Sequence, residues 1–169
     1  MAYNTIKVKK YLDIVEEIEA ESAIYPGMLV EIVSTGNVQA HSTSEGSALP
    51  MFALEDELQG NDIDDAYADG DMVQVWIPNR GEIVYGILAD GQTAVIGSFL
   101  ESNGAGYLQV HTDDVESWES ESQQEKNTVT IIPQVIVGQA IEALDVSDSS
   151  GEESSGTLGY NKRILVRII

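Results

Sequence analysis

The residues able to do chemistry are few, and the most telling are the two histidines of the chain. They close two near-copies set seventy residues apart. Gly27-Met-Leu-Val-Glu31 leads to Gly36-Asn-Val-Gln-Ala-His41, and Gly97-Ser-Phe-Leu-Glu101 leads to Gly106-Tyr-Leu-Gln-Val-His111, with no gap needed. A weaker third echo of the first half is Gly138-Gln-Ala-Ile-Glu142. An imidazole beside a hydroxyl and a carboxylate holds the ingredients of general-base and nucleophilic catalysis. Ser42 and Thr112 directly follow the histidines, but neighbours on a strand point to opposite faces, so this spacing does not make a nucleophile–base pair. Two histidines at the same place in two copies read as architecture. So do Glu31 and Glu101, as outward strand residues or rim acceptors, and Gly27 and Gly97, as bends at strand starts.

Other chemistries leave no signature. The nucleophile elbow Gly-x-Ser-x-Gly is absent. The histidines lack a His-x-His or His-Glu-x-x-His context. Asp62, Asp64, Asp65, Asp69 and Asp71 invite a calcium reading, but the twelfth position of a loop starting at Asp62 is Val73 instead of a bidentate glutamate. A solvated acidic loop is the expectation there. Gly104-Ala-Gly106 falls between expected strands, with no Walker lysine and no dinucleotide fingerprint. With 29 acidic residues, a carboxylate pair suited to glycoside chemistry can be found anywhere and carries no specificity. With no cysteine there are no disulfides or thiolate sites. Neither catalysis, nor a cofactor, nor a metal is expected.

The elements that must position these residues are strands. Met28–Val33 and Val38–Ala40 flank the turn cluster Ser34-Thr-Gly-Asn37. Residues 72–111 read as a meander: Met72–Ile77, a turn at Pro78-Asn-Arg-Gly81, Ile83–Ala89, a two-residue hairpin signal at Asp90-Gly91, Thr93–Leu100, and Tyr107–His111 after Asn103-Gly104. Strands at about ten-residue spacing suggest a sandwich or barrel. Residues 11–20 fit a helix and a strand equally well, and Gln59–Asp71 reads as a polar loop with a helical turn near Ile63–Tyr67. Val129–Ile132, Gln134–Leu144 and Arg163–Ile169 resume strands. Trp76 shares a strand with Val73 and Val75 but points to the other face; core packing is favoured over an interface.

One domain fits 169 residues. It divides into an extended basic arm or edge strand over residues 1–11 and a single β-rich body over 12–169, interrupted by an acidic insertion at about 113–128 and a flexible loop at about 145–159. The charge is −21, from 29 acidic and 8 basic residues. Lys7, Lys9 and Lys10, then Lys162, Arg163 and Arg167, put most of the basic residues at the two ends. Such a body repels nucleic acid and anionic lipid, and no apolar run is long enough for a transmembrane helix. An acidic excess of this size suits either a protein of a high-salt cell or an outward surface selected for solubility. The basic ends either pair with the acidic body or meet a partner. Lys7, Lys9, Lys10, Tyr11 and the lone Trp118 in its acidic loop are the candidate interface residues.

Tyr25-Pro-Gly-Met-Leu-Val-Glu31, Gly36-Asn-Val-Gln-Ala-His-Ser42, Met51-Phe-Ala-Leu-Glu-Asp-Glu57, Asp64-Asp-Ala-Tyr-Ala-Asp-Gly-Asp71 and Val73-Gln-Val-Trp76 together resemble the head decoration (cement) proteins of tailed viruses, the lambda-type family. The resemblance covers roughly residues 20–111, and the insertion and the extreme charge depart from it. It implies an all-β fold with little helix, a small β-barrel or β-tulip-like domain. It implies a structural protein on the outer surface of the virion capsid, made in the host cytoplasm, that clamps neighbouring major capsid proteins as a homotrimer or a dimer, its arm adding contacts to the shell. Another virion or cell-surface β module is the alternative, with a carbohydrate-binding module or a β-barrel hydrolase behind it.

Overall fold

A computed structural model describes residues 5–9, 14–112, 135–148 and 162–169, with the backbone alone at Val8 and Lys9. The expected strand at Val129–Ile132 lies outside them. Runs of β-branched and aromatic residues between glycine turns favour a pleated backbone, and the described residues contain thirteen strands. These are β1 Lys7–Lys9, β2 Val15–Glu19, β3 Val30–Ile32, β4 Val38–Ala40, β5 Phe52–Ala53, β6 Met72–Trp76, β7 Ile83–Ile87, β8 Thr93–Ala94, β9 Phe99–Ser102, β10 Leu108–Val110, β11 Ile136–Ala140, β12 Leu144–Asp145 and β13 Arg163–Ile168.

The main sheet runs β1-β7-β13-β11-β9-β10, beside a three-stranded sheet β2-β6-β5 and the pairs β3-β4 and β8-β12. The all-β expectation is met. The barrel is not: β10 meets the end of β7 through the single Leu88–Leu108 bridge only, and no continuous ladder closes the main sheet. The ambiguous segment 11–20 resolves, where described, into strand β2 antiparallel to β6. The meander is corrected as well. Of its strands only β9 and β10 form a local hairpin; β6 pairs with β2 and β5, β7 with β1 and β13, and β8 with β12. Asp90-Gly91 therefore turns the chain without forming a hairpin. Pro78–Gly81 carries the chain from one sheet to the other, with Gly81 at φ 92°.

No helix forms near Ile63–Tyr67; the segment makes one i→i+3 turn, with Asp65 N donating to the Asp62 carbonyl at 3.2 Å. Aspartate side chains take the backbone donors that a helix would use. Asp64 N donates to Asp62 Oδ1 at 2.9 Å, Asp62 N to Asp65 Oδ2 at 2.9 Å, and Ala68 N to Asp71 Oδ2 at 2.7 Å. Tyr67 instead bridges Ile24.

Two apolar clusters hold the sheets together. One gathers Ile6, Phe52, Trp76, Leu100, Leu108 and Ile164; the other gathers Ile24, Met28, Val30, Val38, Val73 and Val75. Each fully buried aliphatic or aromatic side chain of this size stabilises the fold by about 1.5–3 kcal/mol. β6 lies between the clusters, so Trp76 is fully buried on the face opposite Val73 and Val75, as core packing requires.

Candidate partner interface

The two near-copies fold alike. Gly27 and Gly97 take φ of 91° and 96°, and Gly36 and Gly106 take 93° and 77°, values that glycine adopts without the strain a Cβ brings. Glu31 stands opposite Gln39 in β3-β4, and Glu101 opposite Gln109 in β9-β10. Both glutamines donate to their glutamates, at 2.8 and 2.9 Å. The third echo differs: Gly138 lies inside β11 between Ile168 and Leu100 and does not start a turn.

The histidines extend these pairs. His111 Nδ1 lies 2.5 Å from Glu101 Oε2, with Glu101 buried. His41, itself buried, has Nε2 3.8 Å from Glu31 Oε2. His41 Nε2 donates to the Ser47 carbonyl at 3.2 Å, and Ser102 Oγ donates to His41 Nδ1 at 2.7 Å. Ser102, His41 and Glu31 thus have the composition of a serine relay. However, Ser102 is fully buried and its Oγ accepts the Gly104 N–H at 3.1 Å. A hydroxyl sealed in this way meets no substrate; the contacts satisfy buried polar groups and tie one hairpin to the other. Ser42 Oγ donates to Glu31 Oε1 at 2.6 Å, so it does not face the imidazole either.

The aspartate-rich segment borders a cavity of about 490 Å³ lined by Asp56, Gln59, Asn61, Asp65, Tyr67 and Asp71. Its carboxylates are engaged in capping turns, and burial pushes the Tyr67 phenol up to about 12 while its hydroxyl donates to the Leu54 carbonyl. Among the described residues, no group of three or more His, Asp or Glu side chains is arranged to hold a metal ion.

Of the residues expected to meet a partner, Lys7 and Lys9 lie on β1, the outer strand of the main sheet. Lys10, Tyr11 and Trp118 lie outside the described residues, as do the 113–128 insertion and most of the 145–159 loop. The described part of the basic arm is built into the body. Ile6 is fully buried in the main cluster. Glu55, itself 5% exposed, accepts Thr5 Oγ1 at 2.5 Å and Ile6 N at 3.1 Å. Lys7 is half-buried beside a small cavity of about 140 Å³ that Thr5, Glu55, Glu57, Leu58 and Gln74 also line.

At the other end, Lys162 is buried against Asp90, and Arg163 is buried with NH1 2.9 Å from Asp64 Oδ1 and NH2 on the Ile63 carbonyl. These two basic residues pair with the acidic body, while Arg167 is exposed. Sequence reasoning missed Glu55, the burial of Arg163 and the His41–Ser102 link. A charged residue ending the apolar run Met51–Leu54 or opening the run Ile164–Val166 is the signal that was there to find.

No protein-family model matches the chain, and no curated protein matches it.

Proposed function

We propose that the chain is a virion structural protein. It binds the outer surface of an assembled capsid as a homo-oligomer, homotrimeric in the first instance, and stabilises the shell by clamping neighbouring major capsid proteins. The observation that carries the reading is charge segregation on a β body. Lys7 and Lys9 sit on an edge strand of the main sheet, while the stretch between the basic ends holds all 29 acids. The motif block that resembles the decoration family supports it too: its Phe-Ala-Leu-Glu element supplies Glu55, the group that pins the N-terminal segment. A ligand that binds only the assembled state adds its binding free energy to that state. Many weak copies acting together would resist internal pressure without catalysis.

The test is co-sedimentation of the full chain with expanded, undecorated capsids of a tailed virus, beside a variant with Lys7→Gln, Lys9→Gln and Lys10→Gln. Because Ile6 belongs to the core, neutralising the lysines is a cleaner probe than deleting residues 1–11. Saturable binding that weakens about tenfold in the variant, about 1.4 kcal/mol, with little change in melting temperature, is the expected result. Absence of binding to any shell sinks the reading.

A further inference from the structure

The structure points to a second contact surface, the open edge of β2. We infer that this edge docks an extended segment of another protein that carries lysine or arginine at alternate positions, added as a further antiparallel or parallel strand. The inference does not rest on the capsid reading; any partner with such a segment satisfies it.

β2 pairs along its length with β6; on its other side only its C-terminal end is engaged, where Ala20 bridges Val38 and Glu21 N donates to the Val38 carbonyl at 2.8 Å. Ile77 N donates to the Ile14 carbonyl at 3.0 Å and Ala20 N to the Asp71 carbonyl at 2.8 Å. Hydrogen-bonded pairs alternate along an antiparallel ladder, so the even-numbered residues of β2 bond to β6. Val15, Glu17 and Glu19 then aim their N–H and C=O groups away from the sheet. All three are exposed; the Ala20–Val38 bridge engages the Glu19 carbonyl, and among the described residues no strand or bridge pairs with Val15 or Glu17 on that side. Two other edges are occupied. Ala53 N donates to the Met28 carbonyl and Val30 N to the Met51 carbonyl along the far side of β5, and Ala89 N and the Gln92 side chain occupy β10.

The side chains select the occupant. Glu16, Glu17 and Glu19 are all exposed, as are Ile14 and Val15. Acids on an open edge prevent pairing with a second copy of the same strand, because like charges would stand opposite one another. The same acids favour a strand whose alternate side chains are cationic, with backbone hydrogen bonds giving affinity and charge giving selectivity. Four of the chain's basic residues are placed elsewhere. Lys7 and Lys9 lie on β1 in the other sheet, Lys162 is on Asp90 and Arg163 on Asp64.

The probe is a capped hexapeptide alternating lysine and valine, titrated into the ¹⁵N-labelled full chain and followed by amide shifts. A peptide alternating lysine and proline has the same charge but lacks half the donors. Glu17→Pro removes an outward-facing N–H without breaking a bond to β6, whereas Glu17→Gln removes the charge alone. The inference expects saturable shifts centred on residues 15–19 and about tenfold weaker binding for both the proline peptide and Glu17→Pro. Glu17→Gln should weaken binding by no more than about threefold, as a single exposed charge is worth little. Equal binding of both peptides would mean diffuse attraction to an acidic body and would overturn the inference. So would absence of binding, or shifts centred on another edge. If Glu17→Pro does not give a folded spectrum, the two peptides on the parent chain decide the question alone.

Discussion

Glu31 is a carboxylate whose neighbours outweigh its surroundings. Partial burial pushes its pKa up, but the Ser42 hydroxyl, the Gln39 amide, the Ser42 backbone N–H and the nearby His41 hold it below its ordinary value of 4.5. A depressed carboxylate contributes stability that is present above the unfolded-state value and is lost as pH falls through the folded-state value. The sign is therefore destabilisation on acidification, in the window below about 4.5. Since many other acids titrate there, the informative quantity is the difference between the parent and Glu31→Gln. Denaturant midpoints measured from neutral pH downward should fall less steeply in the variant. Parallel curves would mean that the hydrogen bonds of Glu31 do not discriminate between its protonation states.

The paired hairpins are alike in conformation but not in surroundings, and their leading glycines separate the two. Both lie in the left-handed region, so alanine at either carries a backbone cost of roughly 1–2 kcal/mol. At Gly97 a Cβ would meet only the end of Gln139, at 4.0 Å. At Gly27 it would stand 3.0 Å from the Tyr85 carbonyl and 3.3 Å from Ile6 and Ile87, in a turn whose Gly27 N donates to the Ala53 carbonyl and whose Gly27 carbonyl accepts from Ile87 N. Gly27→Ala is expected to lower the free energy of unfolding by at least about 1 kcal/mol more than Gly97→Ala, the scale of an overpacked site. Equal losses in urea titrations would show that the backbone conformation alone fixes these glycines.

At the scale of the whole molecule, charge sets the working conditions. A net −21 on 169 residues brings self-repulsion that favours expansion. The ion pairs of Lys162 and Arg163 neutralise only two of the acids. The Debye length shortens from about 30 Å at 0.01 M to about 3 Å at 1 M salt, so added salt removes most of the repulsion between exposed carboxylates. The melting temperature should climb as potassium chloride is raised from low to molar concentration, with loss of β signal in circular dichroism at the lowest salt. A flat response would exclude repulsion as the dominant strain on this fold.

What the sequence determined by itself was local. Alternating β-branched residues between glycine turns specified strands, and the repeat pointed to two similar hairpins, which the structure forms with Glu31 opposite Gln39 and Glu101 opposite Gln109. For Trp76 the sequence favoured core packing over an interface, and the structure buries it in the main cluster. Partner choice among strands was decided only by the tertiary structure. β6 and β7 are neighbours in sequence but lie in different sheets, and β7 finds β13 at the far end of the chain. The reasons the lysine-bearing segment is tied down, Ile6 in the core and Glu55 across the sheet, are likewise long-range. A period of two records which face of a strand is apolar. It does not record which other strand will cover that face, because that choice is made by packing between segments far apart in the chain.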